Sequence, residues 1–235
     1  MIQIEDRDFS EFSLTEGDIA VPIEILRTEE MTEPEITVYE PFLPIAEEFV
    51  RAFGTDPFSD AAVGFLKAKL TAPMREYGFT LSKSIDHRIR QFTVTHPTQV
   101  NKAVIRPDTQ IVSGEDDLSK LRNLTTHRLE MDTDDPDDIS AVALVDGSIA
   151  AYATENDAIY GEPQIEISVE CAPAYRGQGL ASSCAAALAE ALLRRGYAVS
   201  YKCRHTNEAS ARVAEKAGFR ETGMQYSFVC YRDEE

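Results

Sequence analysis

Residues 174–182 read Ala174-Tyr175-Arg176-Gly177-Gln178-Gly179-Leu180-Ala181-Ser182, and they join a predicted strand to a predicted helix. Glycine lets the backbone adopt positive φ and lets a ligand approach closely. The helix that follows presents unpaired N–H groups and the positive end of its dipole. The segment therefore predicts a turn that cradles a diphosphate. It matches neither the P-loop nor the dinucleotide-binding pattern, which argues against a nucleotide triphosphatase and a dinucleotide fold.

The elements around this turn are predicted from apolar periodicity and from turn residues. Two strands joined by Asp146-Gly147 form a hairpin, because this dipeptide favours a two-residue turn. The predicted strands are 140–145, 148–155, 164–171, 197–203 and 226–231, and the predicted helices are 182–195 and 208–217, the second ending at Gly218. This order, β-β-β-α-β-α-β, predicts a mixed α/β fold around one sheet, beginning near residue 125.

The first half of the chain has weaker patterns. Leu43 to Phe53 has helical spacing, and Ser59 could cap a second helix that Pro73 ends. Short strands are predicted at 92–95 and 103–105, and residues 1–41 give no clear element. We expect residues 1–125 to be a mixed helical extension or small domain.

The second half resembles the GNAT (GCN5-related N-acetyltransferase) superfamily. The resemblance covers roughly residues 125–235 and rests on two segments about 30 residues apart, Arg176-Gly177-Gln178-Gly179-Leu180-Ala181 and the set Asn207, Ser210, Lys216, Gly218 and Phe219. Within the superfamily, Ile165-Glu166-Ile167 and 214–219 look like the branch of zwittermicin A resistance-type acetyltransferases. The resemblance implies a mostly antiparallel central sheet flanked by helices, with residues 126–235 as the catalytic domain.

It also implies acetyl-CoA as co-substrate. The backbone at Cys171 would pair with the pantetheine arm, and Asn207 and Ser210 would border its channel. The diphosphate would lie on a set of consecutive residues, Arg176, Gly177, Gln178, Gly179, Leu180, Ala181 and Ser182. An oxyanion would be stabilised by a backbone N–H at or beside Cys171.

Acetyl transfer to an amine requires a neutral amine, stabilisation of the carbonyl oxygen and a proton for the leaving thiolate. Glu166 and Glu170 precede the turn and are the predicted bases. In a regular strand they share a face, opposite Ile165 and Ile167, and a bulge would change which one reaches the thioester. The sequence leaves both open.

The residue at the position of the family's proton donor differs from the family pattern. Ala214 stands where many members carry a tyrosine, and Lys202 stands where acetyltransferases of ribosomal-protein N-termini often carry a glutamate. Both differences argue against an N-terminal acetyltransferase. Tyr226 is the predicted substitute, with Tyr231, His205 or water as alternatives. Cys171 is predicted to be a packing residue and not an acyl-carrying nucleophile.

The composition limits the kinds of molecule that the protein is expected to bind. The net charge of −18 disfavours nucleic acid and anionic membranes and favours cationic partners. The four cysteines have no metal-ligand spacing, so no metal is predicted and the thiols are expected to be reduced. No apolar stretch suits a membrane span, which predicts a cytosolic protein. The assembly state stays open, a homodimer being one option.

The sequence thus predicts an N-acetyltransferase acting on a primary amine of a small cationic molecule, such as an amino-polyol or aminosugar. The first 125 residues are expected to cover the acceptor side. The acidic run 130–138 is hypothesised to attract a polycationic acceptor. Two other readings stay open, a protein lysine or N-terminal acetyltransferase and a coenzyme A-binding regulatory module without catalysis.

Overall fold

The computed structural model describes residues 1–6, 8–9, 19–81, 87–113, 139–156 and 164–232. The chain forms two compact units: unit 1 contains Met1–Arg90 and Thr222–Glu235, and unit 2 contains Gln91–Glu221. The predicted boundary at residues 125 and 126 differs from this division and lies outside the described ranges. The acidic run 130–138 lies outside them as well.

Unit 1 combines short strands with two helices. Its elements are β1 (Ile2–Glu5), β2 (Ile19–Ala20), β3 (Ile23–Thr28), β4 (Glu35–Tyr39), α1 (Leu43–Phe53), α2 (Asp60–Glu76), β5 (Phe79–Leu81) and β13 (Cys230–Arg232). Strands β6 (Arg88–Val94) and β12 (Arg220–Ser227) contain the two points where the chain passes between the units.

The two ends of the chain meet inside unit 1. Strand β4 pairs with β1 in parallel and with β3 in antiparallel register, and β3 pairs with β12 from Thr28↔Gly223 to Glu24↔Ser227. Strand β13 lies between β2 and β5. Tyr226 and Phe228 belong to the core of this unit. The last strands therefore complete a unit that begins at Met1.

Several predictions for the first half need correction. The described part of residues 1–41 contains four strands, so "mixed helical" describes this region incompletely. The helix 43–53 is confirmed, and Ser59 caps α2 by accepting a hydrogen bond from the Ala62 N–H at 3.3 Å. Pro73 does not end α2, because its fixed φ is compatible with a helix and only the hydrogen bond of its own N–H is lost. The expected strand 103–105 is a 3₁₀ turn, Lys102–Val104.

Unit 2 contains the elements that surround the glycine turn. They are β7 (Thr109–Ser113), β8 (Ile139–Val145), β9 (Ser148–Glu155), β10 (Gln164–Cys171), α3 (Leu180–Arg194), β11 (Ala198–Arg204) and α4 (Glu208–Ala217). The strand order is β11-β10-β9-β8-β7, and only β10 and β11 are parallel among these neighbours. The predicted α/β fold, with a mostly antiparallel sheet flanked by helices, is confirmed.

The predicted hairpin and caps of unit 2 are also confirmed. Asp146 and Gly147 have φ of 51° and 78°, as a type I′ turn requires. Gly218 ends α4 with φ of 106°. The last predicted strand is wrong in its bounds: β12 ends at Ser227 and β13 begins at Cys230. Helix α3 packs against β8 and β9, and its four leucines are buried together with Ala185, Ala186 and Ala189.

Candidate active site

A pocket of 470 Å³ opens in unit 2 where β10 ends and α3 begins. Strand β11 and helix α4 form its other side. Nine of the ten predicted cofactor residues line it: Cys171, Arg176, Gly177, Gly179, Leu180, Ala181, Ser182, Asn207 and Ser210. The tenth, Gln178, is exposed at the same turn and is not among the lining residues.

The turn has the conformation that its glycines predict. Gly177 and Gly179 have φ of 77° and 81°, in the left-handed region that favours glycine. A Cβ added to either residue would meet no atom within 4 Å, so the space above the turn is open. This geometry leaves room for a group of about the size of a phosphate to lie directly on the backbone.

The first turn of α3 presents free amides to that space. The first bond within the helix runs from the Ser183 N–H to the Gly179 carbonyl, at 3.0 Å. The amides of Leu180, Ala181 and Ser182 therefore have no acceptor inside the helix. Gly179, the N-cap residue, has no side chain that could supply one. Together with the helix dipole, these amides favour a bound anion.

Strands β10 and β11 separate beside the pocket. Their paired residues run from Gln164↔Ala198 to Ile167↔Tyr201. Beyond Ile167, β10 continues to Cys171 and remains paired with β9 on its other edge. Among the described strands, none pairs with the β11-side edge of residues 168–171. This edge is available to an extended ligand that hydrogen-bonds like an added strand.

The charged groups in the pocket are unevenly divided. Among the lining residues, three are cationic, Arg176, Arg212 and Lys216, and one is acidic, Glu170. Arg176 Nε donates a hydrogen bond to the Cys171 carbonyl at 3.3 Å. Although the whole chain carries −18, the local charge of the pocket suits an anion.

Two hydroxyl groups meet on the α4 side of the pocket. Tyr201 Oη and Ser210 Oγ are 2.7 Å apart, and Asn207 Oδ1 accepts a hydrogen bond from the Ser210 N–H at 3.1 Å. Asn207 thus caps α4 and also fixes the residue that holds Tyr201. Burial raises the pKa of Tyr201, whereas the hydrogen bond from Ser210 acts in the opposite direction.

Glu170 is the predicted base that reaches the pocket. Its carboxylate accepts a hydrogen bond from Tyr152 Oη at 2.6 Å, and the two residues are register partners on β9 and β10. Glu166 does not line the pocket. It forms an ion pair with Lys202 at 2.8 Å on the surface. The structure thus distinguishes the two predicted bases, because only Glu170 lines the pocket.

Cys171 lines the pocket without the features of a nucleophile. Burial raises the pKa of its thiol, the nearby Arg176 lowers it and Glu170 raises it further. Its Sγ lies 3.7 Å from the Ala172 carbonyl. Since a reactive cysteine needs a lowered pKa, the environment agrees with the packing role that the sequence predicts.

The predicted proton donors lie elsewhere. Tyr226 is 2% exposed in the core of unit 1, and neither it nor Tyr231 nor His205 is among the residues that line the pocket. Ala214 is fully buried and brings no polar atom. Tyr226 thus belongs to unit 1, whereas Glu170 and the glycine turn belong to unit 2.

Tyr201 and Tyr152 are site residues that the sequence does not predict. Val199, Tyr201 and Cys203 are two residues apart and therefore share the apolar face of their strand. This pattern predicts a core residue and gives no sign of a pocket. Tyr152 stands opposite Glu170 only through the β9–β10 register, which a hairpin prediction does not extend to. No single-sequence signal distinguishes either residue from a packing tyrosine.

The described ranges hold no group of three or more His, Cys, Asp or Glu side chains that could bind a metal ion. Within the same ranges, no helix has the length and apolar character to cross a membrane.

Comparisons with known proteins agree with this fold. The family model for GNAT acetyltransferases matches residues 139–228, which include the glycine turn, Glu170 and helix α4. No curated protein matches the sequence significantly. Residues 139–228 are thus similar to a GNAT acetyltransferase domain, whereas the zwittermicin A resistance branch stays a prediction.

Two solved structures share the fold. One, described as an acetyltransferase of the GNAT family from Novosphingobium aromaticivorans, aligns with a TM-score of 0.51 at 22% identity, over 67% of this chain and 69% of its own. The other, a GCN5-related N-acetyltransferase from Kribbella flavida, aligns with a TM-score of 0.50 at 12% identity, over 98% of each chain. At these identities the likeness concerns the fold alone.

Proposed function

We propose that this protein transfers an acetyl group from acetyl-CoA to a primary amine of a small cationic molecule. The observation that carries the proposal is the 470 Å³ pocket. It combines the open glycine turn, the unpaired edge of β10 and one carboxylate, Glu170. Each of these three features corresponds to one requirement of the reaction, and all three are formed by residues of unit 2.

The residues present fit coenzyme A. The open space over Gly177 and Gly179, with the amides of α3, would hold the diphosphate, and Arg176, Arg212 or Lys216 would supply positive charge. The β11-side edge of residues 168–171 would hydrogen-bond to the extended pantetheine arm. When bound, acetyl-CoA supplies the thioester carbon that the amine attacks.

Glu170 is proposed to accept the proton that the amine loses. An alkylammonium group with a pKa of about 10.4 must be neutral before it can attack, so a positioned carboxylate lowers the cost of the step. Glu166 is the weaker choice because Lys202 already occupies its carboxylate. A backbone N–H at or beside Cys171 would stabilise the carbonyl oxygen.

The acceptor is proposed to be cationic because the chain carries a net charge of −18. Such a surface attracts amines and repels nucleic acids and anionic membranes. An amino-polyol or aminosugar fits these properties, and a cytosolic location, where acetyl-CoA is available, is part of the same proposal.

A panel of small amines tests the proposal through the release of free coenzyme A. We expect amine-dependent release with at least one cationic acceptor, and a fall of about 10²- to 10⁴-fold in kcat for Glu170→Gln. Glu166→Gln serves as the matched control, since it removes a carboxylate from the same strand outside the pocket. Equal losses in the two variants would contradict the role of Glu170.

Ala214 favours a second function, a coenzyme A-binding regulatory module. Its buried methyl group replaces a family hydroxyl, and a protein without a proton donor could bind acetyl-CoA and not turn it over. Binding of acetyl-CoA without transfer to any amine would support this module. Acetyl incorporation into lysate proteins, but not small amines, would support protein acetylation.

A further inference from the structure

Tyr201 lines the pocket, and the proposed reaction assigns it no role so far. The residue is 4% exposed, and its ring packs at centroid distances of 6.3 Å from Phe92 and 5.9 Å from Phe219. Its hydroxyl reaches the pocket beside Ser210, at 2.7 Å. The ring is therefore held by the core while the polar end faces the ligand space.

The hydroxyl pair has a hydrogen to spare. Tyr201 and Ser210 each carry one hydroxyl hydrogen, and the bond between them uses one. The other can be donated to a group in the pocket. Asn207 fixes the backbone of Ser210, so the direction of this donor is set before any ligand binds.

The position of Tyr201 along the strands places it near the end of the pantetheine arm. The diphosphate turn follows Cys171, and the β10 edge with which no described strand pairs runs back from Cys171 towards Ile167, about 13 Å along the strand. Ile167↔Tyr201 is the last residue pair of β10 and β11. An arm that enters at the turn and follows this edge ends beside Tyr201.

We propose that the Tyr201–Ser210 hydroxyl pair donates a hydrogen bond to the sulfur of coenzyme A as it leaves. This inference rests on the proposed acetyl transfer. Glu170 takes the first proton from the ammonium group and passes it to water; the amine lone pair then forms the bond to the acetyl carbon, Glu170 takes the second proton from nitrogen, and the electron pair of the broken C–S bond goes to sulfur. The thiolate is held by the hydrogen bond and takes its proton from water on release.

The role suits a hydroxyl that remains protonated. Burial raises the pKa of Tyr201, so the group stays a donor through the neutral range and stabilises the thiolate by hydrogen bonding without giving up its proton. Glu170 and Tyr201 also lie on different strands. Tyr201 belongs to the apolar face of the sheet, which packs on the helices. Glu170 lies between Val169 and Cys171, which belong to that face, and so it points to the opposite face. The amine and the sulfur would therefore meet different groups.

Ionisation of the coenzyme A thiol tests the inference without an acceptor. The probe is coenzyme A bound to the full chain, and the readout is the ultraviolet absorbance of the thiolate during a pH titration. Loss of one hydrogen bond to a charged group in Tyr201→Phe should raise the ionisation midpoint by about one to two pH units. Tyr197→Phe, which removes the hydroxyl of an exposed tyrosine, should leave it unchanged.

Steady-state kinetics supply the second readout. Tyr201→Phe should lower kcat about 10- to 100-fold, while the coenzyme A dissociation constant at pH 7 changes less than about threefold. Thermal unfolding checks that the ring still packs. If Tyr201→Phe does not fold, Ser210→Ala, measured in the same way, decides the question.

The outcomes separate the two proposals. An unshifted thiol midpoint in the folded variant overturns the role of Tyr201, whether or not the wild type is active. A shifted midpoint supports it. Failure of the wild type to acetylate any amine in the panel overturns the proposed function on its own, through a measurement that does not involve Tyr201.

Discussion

Tyr152 is the residue whose contact with the proposed base is shortest. Its hydroxyl donates to Glu170 at 2.6 Å across the β9–β10 register. This bond orients the Glu170 carboxylate. Residues that act through a catalytic group in this way affect turnover more than substrate binding.

We therefore expect Tyr152→Phe to lower kcat about 10-fold with little change in the KM for acetyl-CoA, because one hydrogen bond to a charged group is lost. Combining it with Glu170→Gln should give no further loss, since Tyr152 acts only through that carboxylate. Additive losses in the double variant would show that Tyr152 has a separate role.

The site residues differ in how far the sequence could predict them. Gly177, Gly179 and Asn207 could be predicted from local backbone conformation. The turn requires residues without a side chain at the two glycines, and the start of α4 requires a capping side chain at Asn207. Glu170 could not be chosen over Glu166, because the choice depends on Lys202 and Tyr152, which reach the two carboxylates from neighbouring strands. Tyr226 was named as one of several substitutes for the tyrosine that Ala214 replaces, and it lies in the core of unit 1.

The end of helix α4 shows how closely one element can depend on a glycine. A Cβ at Gly218 would lie 2.7 Å from the Asn101 N atom and closer still to the Gln99 carbonyl, and its φ is 106°. Gly196, at the end of α3, also has positive φ, at 95°, but a Cβ there meets nothing within 4 Å.

Gly218→Ala should therefore destabilise the protein by more than the ~1–2 kcal/mol expected of left-handed strain alone, and Gly196→Ala by only about that amount. Denaturant unfolding of both variants measures the difference. Equal losses of unfolding free energy would mean that the backbone near Gln99 can move to admit a methyl group.

Helix α3 is tied to the 3₁₀ turn Lys102–Val104 through Glu190. This carboxylate accepts from Lys102 Nζ at 2.7 Å and from Arg194 at 2.6 Å. The hydrogen bond from Lys102 is the main reason that the pKa of Glu190 is lowered. A lowered pKa in the folded state stabilises the protein above the pKa of the unfolded chain, near 4.5.

This contribution should be present at neutral pH and lost as the pH falls below about 4.5 and through the lower folded pKa. Glu190→Gln should cost about 1 kcal/mol at pH 7, because the partners are largely exposed, and nothing once the carboxyl is protonated. Urea unfolding at pH 7 and at pH 3 tests this. A cost that persists at pH 3 would indicate a packing effect.

At the scale of the whole molecule, unit 1 is built from both ends of the chain. Strands β12 and β13 pair with β3, β2 and β5, and bury Tyr226, Phe228 and Cys230. Sequence patterns predict the helices and hairpin of this chain well because those depend on neighbours in sequence. They do not predict this pairing, which joins residues roughly 150 to 210 positions apart, and the expected boundary near residue 125 stays a prediction.

Deleting residues 222–235 should therefore unfold unit 1 although most of its residues remain. Hydrogen exchange at Ile23 and Ile25, buried residues of β3, should rise to the rates of an unfolded segment. Deleting only 233–235 should not have this effect. Retained protection of β3 in the longer deletion would show that the first 90 residues fold alone.

Calorimetry with coenzyme A tests the central claim, that the turn before α3 holds a diphosphate. Gly179→Val and Gly196→Val share positive φ and open surroundings, so they carry similar strain, but only the first obstructs the turn. The account predicts that the wild type and Gly196→Val bind coenzyme A alike and that Gly179→Val weakens binding at least 10-fold. Absence of binding by the wild type, or equal affinity in all three proteins, would contradict it.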